Sequence, residues 1–212
     1  NEIVAYFNTG NVKTILCAVP EEGDIHEDEA AEAISSAIDK NHIYADKAST
    51  GRVNFKSQSL CLVRYDRDFI KEVNLVDESI AFSIVEHNQL LAEGDLIATL
   101  KIIPFFMQKK YVDRVIKILA KDELFKIHSL KKKEVTLIQT CFEWQKKSIF
   151  TATSNVTKAR LDALGCSLTK EELINHDYDT LRAVIRSSVK NDPEILLISG
   201  ASAIADRSDY IP

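Results

Sequence analysis

The stretch Glu194-Ile-Leu-Leu-Ile-Ser-Gly-Ala-Ser-Ala-Ile-Ala-Asp-Arg-Ser-Asp-Tyr-Ile-Pro212 decides how this chain is read. Ile195 to Ile198 are apolar and mostly β-favouring, and they run straight into Ser199-Gly-Ala-Ser-Ala203. A short apolar run bounded by turn residues reads as a buried strand. Small residues in the turn let the backbone approach a ligand closely. A helix starting just beyond it would offer free amide groups to an anion. Ser199, Gly200, Ala201 and Ser202 are therefore candidate ligand contacts, with an ordinary packed turn as the alternative. Asp206 and Asp209 follow three residues apart, either positioning a ligand or cation or serving as a helix cap and first-turn carboxylate.

The residues before this stretch repeat its pattern. Val135 to Gln139 reads as a strand. Ser154 to Leu164 reads as a helix closed by Gly165, and Asp177 to Val189 as a helix with Asp177 at its N-cap and Asp179 in its first turn. Strands alternating with helices imply an α/β fold with a parallel sheet covered by helices. Ligands of such sheets sit beyond the carboxyl ends of the strands. Thr140 and Ser199 occupy that position, and Glu143 lies on the loop after the first strand. Trp144, the sole tryptophan, is on the same loop, as a stacking surface or a core anchor.

The first half has a different texture. Glu2 to Asn8 reads as a helix end closed by Gly10, Val12 to Val19 as a strand, and Asp28 to Lys40 as a helix with an apolar stripe at Ala30, Ala33, Ile34, Ala37 and Ile38. Leu60–Arg64, Ile80–Val85 and Leu96–Ile103 are strand-like, with a short helix over Asp68–Val76 and a stop at Pro104. Tyr111 to Ala120 is amphipathic at helical spacing. Lys131 to Lys133 mark a solvated boundary. We expect a mixed α+β region over 1–106, a linking helix region over 107–133 and a parallel-sheet domain over 134–212.

With 212 residues, 45% hydrophobic and 28% charged, the chain has the composition of a soluble globular protein. Its net charge of −5 argues against nucleic acid as a partner. No apolar run reaches the roughly 20 residues of a membrane helix. Cys17, Cys61, Cys141 and Cys166 are scattered without a Cys-x-x-Cys pair, which points to reduced thiols in the cytoplasm and away from a zinc site. Asp24-Ile-His-Glu-Asp-Glu29 reads as an acidic helix start before a metal site. The histidines are isolated, and no hydrolase triad is supported. The absence of an initiator Met and the stop at Pro212 suggest a piece of a longer protein.

The order of five elements carries a resemblance: Gln139-Thr140-Cys141-Phe142-Glu143, then Thr153-Ser154-Asn155, Leu164-Gly165, His176-Asp177-Tyr178-Asp179-Thr180-Leu181, and Ser199-Gly200-Ala201 with Asp206 and Asp209. Together they resemble the first half of the molybdopterin-binding domain of the MoaB/Mog and MoeA-like proteins. Gly23-Asp-Ile-His-Glu-Asp-Glu-Ala-Ala31, Thr50-Gly-Arg-Val-Asn54 and Ile97-Ala-Thr-Leu-Lys-Ile-Ile-Pro-Phe105 extend it over nearly the whole chain. They bring it closest to MoeA-like domains fused to a cytidylyltransferase or glycosyltransferase-like domain, which would lie beyond Pro212. The resemblance implies binding of molybdopterin or its nucleotide form, with magnesium as a further ligand. It places Thr140, Glu143, Asn155, Asp177, Ser199, Gly200, Ala201, Ser202, Asp206 and Asp209 at the pterin. The chain departs from the family at Phe142, where catalytic members carry aspartate, at Cys141, where glycine is usual, and at Ala201, the second glycine of the last turn. Losing that carboxylate weakens cation-assisted transfer chemistry. The expectation is a pterin-binding module in molybdenum-cofactor synthesis or maturation. An active nucleotidyl or molybdate transferase and a scaffold or dimerisation domain of the same fold are the alternatives. An uncovered sheet edge would suit a homo-oligomer.

Overall fold

A computed structural model describes residues 17–191, 193–203 and 211 of the chain. The helix expected over Glu2–Asn8 lies outside the described residues, as does the strand expected from Val12 up to residue 16. Cys17 to Val19, the rest of that expected strand, are exposed and belong to no strand. The fold is mixed α/β and includes one parallel sheet. It divides into two compact units, Asn1–Ser129 and Leu130–Pro212. Among the described residues no helix is long and apolar enough to cross a membrane.

The first unit holds strands β1 (Asp24–His26), β2 (Ile43–Ala45), β3 (Arg52–Ser57), β4 (Cys61–Arg64), β5 (Ile80–Ile84), β6 (Leu90–Leu91), β7 (Leu96–Ile102), β8 (Phe106–Gln108) and β9 (Lys126–Ser129). Its helices are α1 (Glu27–Ser36), α2 (Arg67–Asn74) and α3 (Lys109–Leu119). An antiparallel sheet runs in the order β2-β3-β7-β5, a second in the order β6-β4-β9, and β1 pairs with β8. Strand β3 alternates strictly: Val53, Phe55 and Ser57 are buried, while Arg52, Asn54 and Lys56 face the other way. Phe55 anchors an aromatic cluster with Phe82 and Phe125, at centroid distances of 6.0 and 6.1 Å. Helix α1 buries Ala30, Ala31 and Ile34, and α3 buries Val112, Val115, Ile118 and Leu119. The helix near Tyr111 therefore packs inside the first unit.

Helix α1 begins at the acidic run, where His26, Glu27 and Asp28 have structural tasks. The His26 ring accepts from the Asp28 amide at 3.2 Å as N-cap. Asp28 Oδ1 accepts from the Gly51 amide at 2.6 Å. Glu27 is only 7% exposed and lies 3.6 Å from Lys101 Nζ. The Glu27 amide donates to Phe105 O at 2.9 Å, and the Ile102 amide donates to Gly51 O at 2.7 Å. The three upstream segments that carry the resemblance thus lock onto one another. The helix ends at Ser36, short of the expected Lys40, because Ala37 caps it and Asp39-Lys40-Asn41 turn away.

The second unit reads β10 (Glu134–Cys141), α4 (Lys147–Ala163), β11 (Ser167–Asn175), α5 (Tyr178–Lys190) and β12 (Ile195–Ser199). The sheet is wholly parallel in the order β11-β10-β12. Central strand β10 is buried on both faces from Val135 to Thr140, as parallel strands are. Gln139 reaches α4, donating to Ser154 Oγ at 2.9 Å and Phe150 O at 3.3 Å. Leu161 on α4 and Leu181 on α5 complete the core. Two sequence readings need correcting here. Strand β11 follows Gly165 without a strand pattern of its own in the sequence, and α4 begins at Lys147 instead of Ser154.

Candidate functional site

Strands β10, β11 and β12 point the same way, so Cys141, Asn175 and Ser199 end on one edge of the sheet. The chain crosses from β10 to β11 on one side and then to β12 on the other. Open α/β sheets place their ligands at the carboxyl ends of the strands where the strand order reverses, which here is the end of β10.

Thr140 is the hub of this edge. It is 1% exposed, yet its hydroxyl contacts both flanking loops. The Ala201 amide donates to Thr140 Oγ1 at 2.8 Å. His176 Nδ1 lies 2.7 Å from the same oxygen, and Ser199 O lies 3.5 Å away. The hydroxyl has one proton to give, to Ser199 O or to the ring according to the His176 tautomer, and its oxygen accepts from the Ala201 amide in either case. His176 Nε2 faces Ser202 Oγ at 3.5 Å. Gln145 ties the first loop to the last: its amide nitrogen donates to Ala201 O at 3.2 Å, while its oxygen accepts from the Phe142 amide at 2.9 Å.

An aromatic ledge borders these groups. Phe142 stacks on Trp144 with centroids 5.5 Å apart and planes 9° apart, and it meets the His176 ring edge-on at 4.8 Å. Trp144 is 78% exposed, so it is a surface platform and not a core anchor. Polar donors beside an exposed flat face make an arrangement suited to a planar, partly anionic molecule.

The residues expected at the ligand divide accordingly. Thr140, Ser199, Ala201 and Ser202 meet through the hydrogen bonds just given, and Gly200 sits among them. A Cβ on Gly200 would lie 3.2 Å from Ile211 Cδ1 and 3.3 Å from Ser202 O, so the position suits the smallest residue. Glu143 is exposed on the ledge loop between Phe142 and Trp144. Asn155 is exposed within α4, well past its start, because that helix begins earlier than expected. Asp177 is the N-cap of α5, and its Oδ1 accepts from the Thr180 amide at 2.8 Å. That backbone hydrogen bond holds its carboxyl below the usual carboxylate range. Asp206 and Asp209 lie outside the described residues.

His176 and Gln145 are the additions that sequence reasoning missed. His176 looks isolated in the sequence, but it directly precedes the N-cap Asp177. A side chain there sits at the mouth of the loop after β11, which is the signal that could have found it. Among the described residues no three His, Cys, Asp or Glu side chains converge on a metal-binding geometry. All four cysteines are free thiols, with Cys61 buried and its thiol pushed up by desolvation.

No family model matches this chain, and no curated protein matches it either.

Proposed function

We propose that the second unit is a molybdopterin-binding module acting in molybdenum-cofactor synthesis or maturation, in the cytoplasm. One observation carries the reading: Thr140, His176, Ala201 and Ser202 converge beside the Phe142–Trp144 ledge, at the switch point of a parallel sheet. The ledge offers a face for the flat pterin. The Ser202 hydroxyl and the His176 ring offer polar groups for its anionic side. The sequence resemblance places the same loops at the pterin.

Binding is favoured over transfer chemistry. At the family's usual aspartate position stands Phe142, whose ring is committed to Trp144 and His176. The carboxylate that would help hold magnesium is replaced by a stacking surface, and cation-assisted transfer needs acidic oxygen ligands.

The test is an anaerobic titration of the full chain with molybdopterin, with and without magnesium and nucleotide. Trp144 reports directly, being the only tryptophan. Saturable quenching by molybdopterin alone is the expected result. Binding that requires nucleotide and magnesium would move the reading to a transferase. No binding under any of these conditions would refute both.

A further inference from the structure

The opposite, amino-terminal edge of the same sheet holds a second feature. A cavity of ≈ 200 Å³ is lined by Glu134 and Thr136 of β10, Thr169 and Lys170 of β11, Ser188 of α5, and Glu194. Ser188 is 4% exposed, and its hydroxyl oxygen is buried without a hydrogen-bond partner. Buried hydroxyls are almost always satisfied, and an orphan calls for a bound species. The β10–β11 register also slips here, between Val135 and Thr136, so that Thr169 becomes an extra residue. Bulges in parallel pairs are rare and tend to re-aim a side chain. Thr169 and Lys170 both line the cavity as a result.

The electrostatics select the occupant. Ser188 lies in the last turn of α5, whose carbonyl end carries partial negative charge. Glu134 and Glu194 add carboxylates. Lys133, hydrogen-bonded to Glu194 at 2.6 Å, holds that carboxyl below its usual range, so it stays ionised. Glu194 Oε2 also accepts from the Glu134 amide at 2.8 Å. The Lys170 ammonium is turned to Glu172 at 2.6 Å. The cavity is thus rich in oxygen and poor in available cationic donors. It is below the roughly 300 Å³ at which organic ligand pockets begin, yet it exceeds the volume of a single water, about 30 Å³.

We propose that this cavity binds a monovalent alkali cation with its residual hydration shell, through Ser188 Oγ, Thr136 Oγ1 and the carboxylate side of the rim. The neutral hydroxyls supply the oxygens that such weakly polarising ions accept. The ion supplies the partner that Ser188 lacks, and it fastens the end of α5 to the start of β10. The site is separate from the candidate pterin edge and does not depend on that reading.

The experiment is urea unfolding of the full chain, followed by Trp144 fluorescence, in KCl, NaCl or choline chloride at matched ionic strength. Choline carries its charge on a nitrogen shielded by methyl groups, which hydroxyl oxygens cannot coordinate as they do an alkali ion. The midpoint is expected to be higher in KCl or NaCl than in choline chloride, and to rise with alkali-ion concentration as a linked binding site requires. In Ser188→Ala and in Thr136→Val the ion affinity derived from that dependence should fall about tenfold or more, the loss expected for a hydrogen-bonding group facing a charge. Lys47→Ala, in the first unit, should keep the full ion effect. Equal midpoints in all three chlorides overturn the proposal and leave water as the occupant. An ion effect that survives in both hydroxyl variants overturns it as well. Ser188→Ala being more stable than the parent in every salt would mean that the cavity is dry, which also overturns it.

Discussion

Replacing Gly51 by alanine should destabilise the first unit through two separable effects. The first is conformational: Gly51 has φ +67°, a left-handed backbone that costs an L-residue about 1–2 kcal/mol. The second is steric. An added Cβ would sit 2.6 Å from Ile102 O and 2.8 Å from Glu27 Oε2. Ile102 O belongs to strand β7, and Ile102 N already donates to Gly51 O at 2.7 Å, so neither backbone can retreat without loosening the other. Glu27 is buried and held near Lys101, so it cannot swing aside cheaply. Overpacking of this kind costs about 1–3 kcal/mol. The sum is about 2–5 kcal/mol, which at an m-value of about 2 kcal/mol/M lowers the urea midpoint by roughly 1–2.5 M. Gly94 supplies the control. It has φ +84°, and no atom lies within 4 Å of its added Cβ. Gly94→Ala should therefore show the conformational cost alone. The assay is urea unfolding followed by far-ultraviolet circular dichroism. If Gly51→Ala and Gly94→Ala differ by less than about 0.5 kcal/mol, the scatter between independent measurements, then the contact between the two motifs is not the reason for glycine here.

Three further outcomes follow from the geometry. Thr140→Val keeps the shape of the residue but leaves the Ala201 amide and His176 Nδ1 without their shared oxygen. It should cost about 1–3 kcal/mol in an unfolding transition followed by Trp144, whereas Thr140→Ser should cost less. In Trp144→Ala stability should change by no more than about 0.5 kcal/mol, because the ring is exposed, while calorimetric affinity for molybdopterin falls. Unchanged affinity would remove the ledge from the site. The Asp46 carboxyl is held below its usual range first by its hydrogen bond with Lys56, then by Asn54 and the charge of Lys56, with partial burial opposing. A carboxyl lowered in the folded state stabilises above its unfolded pKa of about 3.9 and stops doing so as pH falls through the folded value. The gap between parent and Asp46→Asn in urea midpoint should therefore be full at neutral pH and close in the acid limb.

What the sequence revealed follows the physical signal each segment carries. Strand β10 is apolar-rich because both its faces are covered, β12 is a continuous apolar run though only half-buried, and helices α3 and α5 show helical spacing or a capping aspartate. Strand β11 was invisible because Ser167-Leu-Thr-Lys-Glu-Glu-Leu-Ile-Asn175 is an edge strand rich in helix formers, and its alternation is interrupted by the bulge at Thr169. Strand β3 alternates, but the Thr50-Gly51 turn just before it carries the stronger local signal. Helix α4 was placed late because its first turns, Lys147 to Phe150, have no side-chain N-cap and little buried surface. The site was legible only at its strand ends. The pairings Thr140–His176, Gln145–Ala201 and Thr140–Ala201 join residues 36 to 61 apart in sequence. No local pattern reports contacts of that range.

Those long-range bonds also explain how a buried threonine shapes what the edge can hold. Thr140 lies on the most buried strand of the unit, so its hydroxyl is fixed by packing and cannot turn to solvent. It accepts from the Ala201 amide, which directs that amide inward instead of toward a ligand. It also holds the His176 ring through Nδ1, which turns Nε2 toward Ser202. The polar groups this edge presents beside the ledge are thus side chains set in place by the strand, where the sequence had suggested backbone amides of the last turn. A ligand with a planar ring and an anionic tail would meet the Phe142–Trp144 face and the His176–Ser202 pair together. Substituting His176 with glutamine tests this, because the amide keeps a donor without the ring: affinity should fall mainly for ligands whose planar part rests against Phe142. An equal loss for a simple phosphate would instead make His176 a charge contact alone.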